Sequence, residues 1–201
     1  MDELAQQVAD RLKAARFVEV EASGRHVHLT EADAQTLFGH PLTPTRPLSQ
    51  PGQFACAERV TLVGPKGKLA RVAVLGPTRS ASQVEISQTD AKLLGVPPPI
   101  RLSGDIAGSP GITIEGDCGK VELSEGTIIA QRHIHMTPED AARFQVHSGE
   151  AVKVKLFSDR PVTFEDVAVR VSPSFATRVH IDFDEANAAD FQKGNLGMIL
   201  T

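Results

Sequence analysis

The residues of this chain that can do chemistry come in two copies. Arg25-His26-Val27-His28-Leu29-Thr30 near the start recurs as Arg132-His133-Ile134-His135-Met136-Thr137 in the second half. Laid over one another, residues 25–40 and 132–147 agree at seven of sixteen positions, with Val/Ile and Leu/Met as near matches. A lone His-x-His is short enough to arise as a structural or surface pair. Two in one frame, each with Arg before and Thr after, point to a duplicated module that builds a metal site. On a strand, residues i and i+2 face the same side, so His26 converges with His28 and His133 with His135. Neutral imidazole suits Zn²⁺, whose catalytic sites take three protein ligands and keep one position open. Each pair therefore needs a third partner. Glu85 in Gln83-Val84-Glu85-Ile86-Ser87 and His180 in Arg178-Val179-His180-Ile181-Asp182 are the candidates, because both lie in apolar, strand-like runs where an unpaired polar group is costly. His40 and His147 also match in the repeat, but at the far end of the following helix, and read as surface or capping residues.

The elements that must hold these residues follow from local signals. Thr30 and Thr137 are N-cap candidates with Asp33 and Asp140 three residues on, and Pro138 stands at a first helical position. Each module thus reads as a strand, His-x-His at its end, then a capped helix. Residues 3–16 place Leu4, Val8 and Leu12 at helical spacing, widened by Ala5 and Ala15, as in a short amphipathic helix that packs on its own core or serves as a docking peptide. Residues 17–22 alternate with period two and form a strand leading into the first His-x-His. Further strand-like runs lie at 59–63, 69–75, 83–86, 111–114, 151–157, 162–171 and 178–183, separated by Gly- and Pro-rich turns such as Gly64-Pro65-Lys66-Gly67. Residues 40–58, rich in Pro, Thr and Gln, read as a long loop of the kind that is often functional. Many short strands and few helices favour a mainly β chain with short α-helices over a doubly wound sheet. The expected fold is two small β-barrel domains related by internal duplication and capped by helices.

Composition narrows the function. Nine Phe with neither Trp nor Tyr provide little for base stacking, and a formal charge of −4 argues against a nucleic-acid surface. Cys56 and Cys118 have neither Cys-x-x-Cys spacing nor a disulfide framework, so free thiols in a reducing cytoplasm are expected. No apolar run reaches the length of a membrane span, and the N-terminus lacks a signal-peptide stretch. An intracellular protein that binds neither membrane nor nucleic acid is expected, and an anionic substrate would need a local basic cluster. Arg79, on the Gly76-Pro77 turn six residues before Glu85, can hold phosphate bidentately beside a metal. Arg25 and Arg132 could do the same or pair with acidic residues.

Gly24–Thr30, Gln50-Pro51-Gly52-Gln53-Phe54-Ala55, Gly64-Pro65-Lys66-Gly67, Gln83–Ser87, Gln131–Asp140 and the stretch from His180 to Ala188 resemble the PduL-type phosphotransacylases, the phosphate propanoyltransferases. The resemblance covers nearly the whole chain from residue 17 onward, with departures at Gly24, Ala73 and Ser82, where the family usually has Asn, Arg and Thr. It implies an acyltransferase that interconverts acyl-CoA (propanoyl-CoA or acetyl-CoA) plus phosphate with acyl phosphate plus CoA. It also implies a two-barrel fold, two Zn²⁺ per chain and a homodimer. The domains it gives are an N-terminal helix at 1–16, a strand at 17–24 joining the C-terminal barrel, a first barrel at 25–130 and a second at 131–201. By resemblance one metal falls to His26, His28 and Glu85, and the other to His133, His135 and His180. Arg79 matches an essential arginine that binds phosphate, while Ser23 and Asn187 fall where the family contacts coenzyme A. The resemblance places the chain in the cytoplasm or inside a bacterial microcompartment, with residues 1–16 available to shell or core partners. Two other readings fit the His/Glu sites: a zinc-dependent thioester or amide hydrolase, and a non-catalytic metal- or nucleotide-binding module. A requirement for phosphate separates the transferase from the hydrolase, and any turnover separates it from the module.

Overall fold

The computed structural model describes residues 2–14 and 16–200, which form two compact units. One takes the chain up to Ser23 together with everything from Gln131 onward, and the other is Gly24–Ala130. The first opens with α1 (Asp2–Ala14) and β1 (Phe17–Ser23). The second follows as β2 (His26–His28), α2 (Glu31–Phe38), β3 (Pro44–Pro47), β4 (Phe54–Val63), β5 (Lys68–Gly76), β6 (Gln83–Ile86), α3 (Gln88–Leu94), β7 (Ile100–Arg101), β8 (Thr113–Glu115), β9 (Lys120–Glu122) and β10 (Thr127–Ala130). The first then resumes with β11 (His133–Met136), α4 (Pro138–Phe144), β12 (Ala151–Phe157), β13 (Val162–Val171), β14 (Arg178–Asp182), α5 (Phe183–Ala188) and β15 (Leu196–Leu200). The chain is mainly β with short helices, as its many short apolar runs require.

In the first unit six strands close into a barrel in the order β1-β14-β11-β13-β12-β15. The N-terminal strand completes it, running parallel to β14 and antiparallel to β15. Alternation explains its seat: Val18 and Val20 point into the core while Glu19 faces water. Closure leaves no unpaired strand edge. Val154, Leu156, Val167, Val179, Ile181 and Ile199 fill the interior. The second unit is an open, curled sheet of nine strands, ordered β7-β10-β6-β2-β5-β4-β8-β9 with β3 on β4. Its core is built on Val27, Leu37, Leu62, Val74, Val84, Leu94 and Ile114.

The helices after the His-x-His strands start as their caps predict. Thr30 accepts from the Asp33 amide at 3.0 Å and Thr137 from the Asp140 amide at 3.1 Å. Two short helices, α3 and α5, are additional to those expected, being too short to show a helical stripe. Both begin in capping boxes, Ser87 with Asp90 and Asp182 with Glu185. Phe183 therefore opens a helix instead of ending a strand.

The stretch 40–58 is not one long loop. Its middle forms β3, antiparallel to β4, and β4 begins at Phe54, earlier than the expected 59. Every residue of β3 is exposed, and two are prolines, which an edge strand tolerates and a central strand does not. With no buried face it carries no alternation to read. At the N-terminus, Leu4 and Val8 are exposed, so these members of the α1 stripe do not pack on the chain's own core. The Leu12 side chain and Ala15 lie outside the described residues.

Gly64-Pro65-Lys66-Gly67 closes the β4–β5 hairpin, with the Gly64 amide donating to the Gly67 carbonyl at 2.9 Å. The end of α3 rests on this turn: the Lys66 amide donates to the Leu94 carbonyl at 3.0 Å. A Cβ on Gly64 would lie 2.3 Å from that carbonyl oxygen, a collision with backbone that no rotamer relieves. Gly64→Ala is therefore expected to cost about 3 kcal/mol, at the upper end of overpacking effects. Gly52→Ala, left-handed but with open space around it, should cost only about 1 kcal/mol. Urea unfolding of the two variants checks the difference, and equal losses would remove the close-approach explanation.

Candidate functional site

In the second unit, β2 lies between β5, parallel to it, and β6, antiparallel. The register sets His26 opposite Glu85 across the β2–β6 pair and opposite Ala73 across the β2–β5 pair. Val27 turns into the core, and alternation carries His26 and His28 to the other face, where both are buried together with Glu85. One ligand atom from each of the three lies within 4.8 Å of the others. His26 Nε2 is 3.5 Å and His28 Nε2 3.9 Å from Glu85 Oε1. Tetrahedral zinc ligands at ordinary bond lengths sit about 3.3–3.5 Å apart, so the donor set fits a small cation with little movement. His26 Nδ1 donates to the Gly24 carbonyl at 2.8 Å, which leaves Nε2 as the acceptor aimed at the cluster.

The electrostatics agree with that donor set. Burial opposes charge on Glu85, but His26, His28 and a hydrogen bond from Ser103 outweigh it and hold the carboxyl well below its usual range. Burial, then the positive charge of His26 and of Arg79, push His28 down to about 3. An ionised carboxylate and a neutral imidazole are the forms a metal needs. Burial also opposes charge on His26, yet the Glu85 carboxylate and the Gly24 carbonyl raise it.

Around Glu85 runs a hydrogen-bonded path that sequence reading missed. Gln83 Nε2 donates to Glu85 Oε1 at 2.6 Å and to Ser103 Oγ at 2.9 Å. Arg79 Nη1 donates to the same Ser103 Oγ at 3.0 Å. The Arg79 amide is tied to the Leu29 carbonyl at 2.9 Å, which anchors its turn at the end of β2. Period-two alternation with Glu85 could have identified Gln83. Nothing in the sequence marks Ser103, which reaches the path from the loop after β7.

The first unit repeats the plan. β11 lies parallel to β13, with His133 opposite Ala168, and antiparallel to β14, with His133 opposite His180. The three rings meet at centroid distances of 4.6 Å (His133–His135) and 5.0 Å (His133–His180 and His135–His180), with their ligand atoms again within 4.8 Å of one another. His133 Nδ1 donates to the Gln131 carbonyl at 2.8 Å, as His26 does to Gly24. Glu21 Oε2 stands 4.0 Å from His180 Nδ1, and the Phe175 ring packs 4.2 Å from His135.

Both units also share a clamp. Ser82 Oγ accepts from the Thr30 amide at 2.9 Å and donates to the Asp33 carboxylate. Thr177 Oγ1 accepts from the Thr137 amide at 3.3 Å and donates to Asp140. Each clamp fastens the end of a His-x-His strand to the start of the strand bearing the third residue. The arginines before each His-x-His are engaged with acids: Arg25 with Asp90 at 3.0 Å through two nitrogens, and Arg132 with Glu185 at 2.8 Å. Their structural reading is the one the geometry supports.

The other singled-out residues belong to neither triad. Ser23 ends β1 opposite Asp182 of β14, and Asn187 is exposed on α5. His40 bonds the Pro41 carbonyl at 2.7 Å, and His147 Nδ1 lies 3.6 Å from Glu150. Both of these histidines are exposed.

Comparison with proteins of known name points to one family. A family profile described as phosphate propanoyltransferase matches residues 19–192. A phosphate propanoyltransferase of Clostridioides difficile (strain 630) is 52% identical, across 100% of this chain and 97% of the relative. One from Listeria monocytogenes serovar 1/2a is 54% identical over 98% of this chain and 93% of its own. One from Leptotrichia buccalis is 56% identical over 90% and 86%. With a profile match over most of its length and half its residues shared with these relatives, the chain belongs to the phosphate propanoyltransferase family of acyltransferases.

Proposed function

We propose that this chain converts acyl-CoA and phosphate into acyl phosphate and CoA, and the reverse, with propanoyl-CoA or acetyl-CoA as the acyl donor. In this reading His26, His28 and Glu85 hold one Zn²⁺, and His133, His135 and His180 hold a second. The observation that carries it is the path Arg79–Ser103–Gln83–Glu85, which fixes a guanidinium beside a convergent metal-ligand set. Such a pairing suits a substrate that is both a phosphate and a carbonyl compound. When bound, the metals supply Lewis-acid polarisation and charge neutralisation.

The chain's own groups then have definite tasks. Arg79 offers phosphate a planar fork of donors and offsets its negative charge, which allows a weak anionic nucleophile to approach the thioester. Ser103 keeps that guanidinium in place. A phosphate oxygen forms the new C–O bond at the thioester carbonyl carbon, the C–S bond breaks, and its electron pair leaves with the sulfur as the CoA thiolate. Ser23 and Asn187 are assigned to coenzyme A on the resemblance to the family. The same resemblance supports a homodimer and a place in the cytoplasm or inside a bacterial microcompartment, where the exposed Leu4 and Val8 of α1 would meet a partner.

No enzyme nucleophile intervenes in this reaction. Cys56 is fully buried, and burial, then the neighbouring Glu58, push its thiol up to about 11. At neutral pH it is a protonated thiol with little nucleophilic character. Cys118 is exposed, and its Sγ donates to the Phe38 carbonyl at 3.2 Å.

Three outcomes test the proposal. CoA release from propanoyl-CoA should require phosphate, stop on chelation and return with Zn²⁺; release at an unchanged rate without phosphate would mark a hydrolase. Arg79→Ala should lower kcat/KM for phosphate about 10²–10³-fold in a folded protein, and wild-type kinetics in that variant would refute its role. Iodoacetamide at pH 8 should alkylate Cys118 well ahead of Cys56, as read by mass spectrometry. An acyl group trapped on Cys56 after incubation with acyl-CoA alone would overturn direct attack.

A further inference from the structure

We propose that Gln83 is the positioning residue of the Glu85 site: its side-chain amide fixes which carboxylate oxygen faces His26 and His28 and couples that ligand to Arg79 through Ser103. The proposal rests on the metal reading of the His26/His28/Glu85 cluster given above.

Gln83 is 1% exposed, so its amide has to find partners inside the protein. Its Oε1 accepts from the Gly104 amide at 2.8 Å, and its Nε2 donates to Glu85 Oε1 and Ser103 Oγ at 2.6 and 2.9 Å. These contacts admit one orientation only. Flipping the amide would set oxygen against the carboxylate and nitrogen against an N–H. Glu85 Oε1, the oxygen Gln83 holds, is also the one that approaches both histidine Nε2 atoms. Gln83 thus meets the carboxylate at its ligating oxygen.

The other unit supplies the contrast. The residue two before His180, on the same face of its strand, is Arg178. Its guanidinium is turned to Glu19 at 2.9 Å and Glu21 at 3.6 Å, and the ligand candidate beside it is an imidazole. A cation at position 83 would pair with Glu85 and compete with a metal for its charge, whereas an acid would repel it. A neutral N–H donor holds a ligating carboxylate without either cost, so a carboxylate third ligand and an amide two residues earlier belong together. Partners of this kind typically change metal affinity or activity about 10–100-fold when removed.

The test uses full-length protein, stripped by chelation and titrated with Zn²⁺ against a chromophoric chelator. Glu85→Ala identifies which of the two affinities belongs to the Glu85 site. Gln83→Leu is then expected to weaken that affinity about 10–100-fold, to leave the other unchanged and to raise KM for phosphate. Gln83→Glu keeps the shape and the acceptor for Gly104 while removing the N–H donor, and should weaken the same affinity even if the Leu variant misfolds. Wild-type affinity at that site in Gln83→Glu, or equal weakening at both sites with lowered thermal stability, would overturn the proposal. If Glu85→Ala itself alters neither affinity, it is the metal reading that fails, which separates the two outcomes.

Discussion

The structure depends on the pairing register of two short antiparallel ladders. His26 lies opposite Glu85 and His133 opposite His180, so each triad is two alternate residues of one strand and the facing residue of its neighbour. Because side chains alternate, slipping either ladder by one residue would turn the imidazoles into the core and Val27 or Ile134 into the site. Apolar burial opposes that slip, since Val27 and Ile134 are wholly buried between the histidines that flank them. The Ser82 and Thr177 clamps oppose it again at the strand ends. Core packing and site geometry are therefore set by one constraint, and a mutation that loosens the core beneath β2 or β11 should disturb the triads before it unfolds the unit.

That constraint brings polar groups into places where they are expensive, and the surroundings are arranged to offset the cost. A buried carboxylate loses hydration worth several kcal/mol and needs close partners. Glu85 has two imidazoles, an amide and a hydroxyl around it, which is why it stays ionised despite burial. The carbonyls of Gly24 and Gln131 each fix one nitrogen of a histidine and leave the other facing inward. A buried polar cluster with its partners in place is held in one arrangement, since any partner lost would leave a group unpaired at low dielectric.

The paired histidines, their convergence with Glu85 and His180, and the capped helices were legible in the sequence, because alternation and capping leave local signatures. The β-rich architecture was legible in outline. Strand β3 was not, since a fully exposed edge strand with two prolines carries no periodic burial. Helices α3 and α5 were too short for a stripe, although Ser87 with Asp90 and Asp182 with Glu185 announce their starts. Ser103 was out of reach altogether: its loop reaches Arg79 and Gln83 through tertiary packing that no spacing encodes.

The duplication runs deeper than the His-x-His segments that reveal it. The strand parallel to each His-x-His strand carries Val-Ala-Val, at 72–74 and 167–169, with the alanine facing the first histidine. Just before it stands a non-glycine residue in the left-handed region, Arg71 at φ 59° and Asp166 at φ 52°, where the ladder to the preceding strand shifts register. Such a conformation costs about 1 kcal/mol, and its presence at the same point in both units marks a bulge that bends the strand around the site. With the bulge, the clamp and the register held in common, the two triads differ in the third residue and in the residue two before it. One unit took Glu85 with Gln83, the other His180 with Arg178. At those positions two copies of one scaffold differ in charge, a carboxylate beside an amide in one and an imidazole beside a guanidinium in the other.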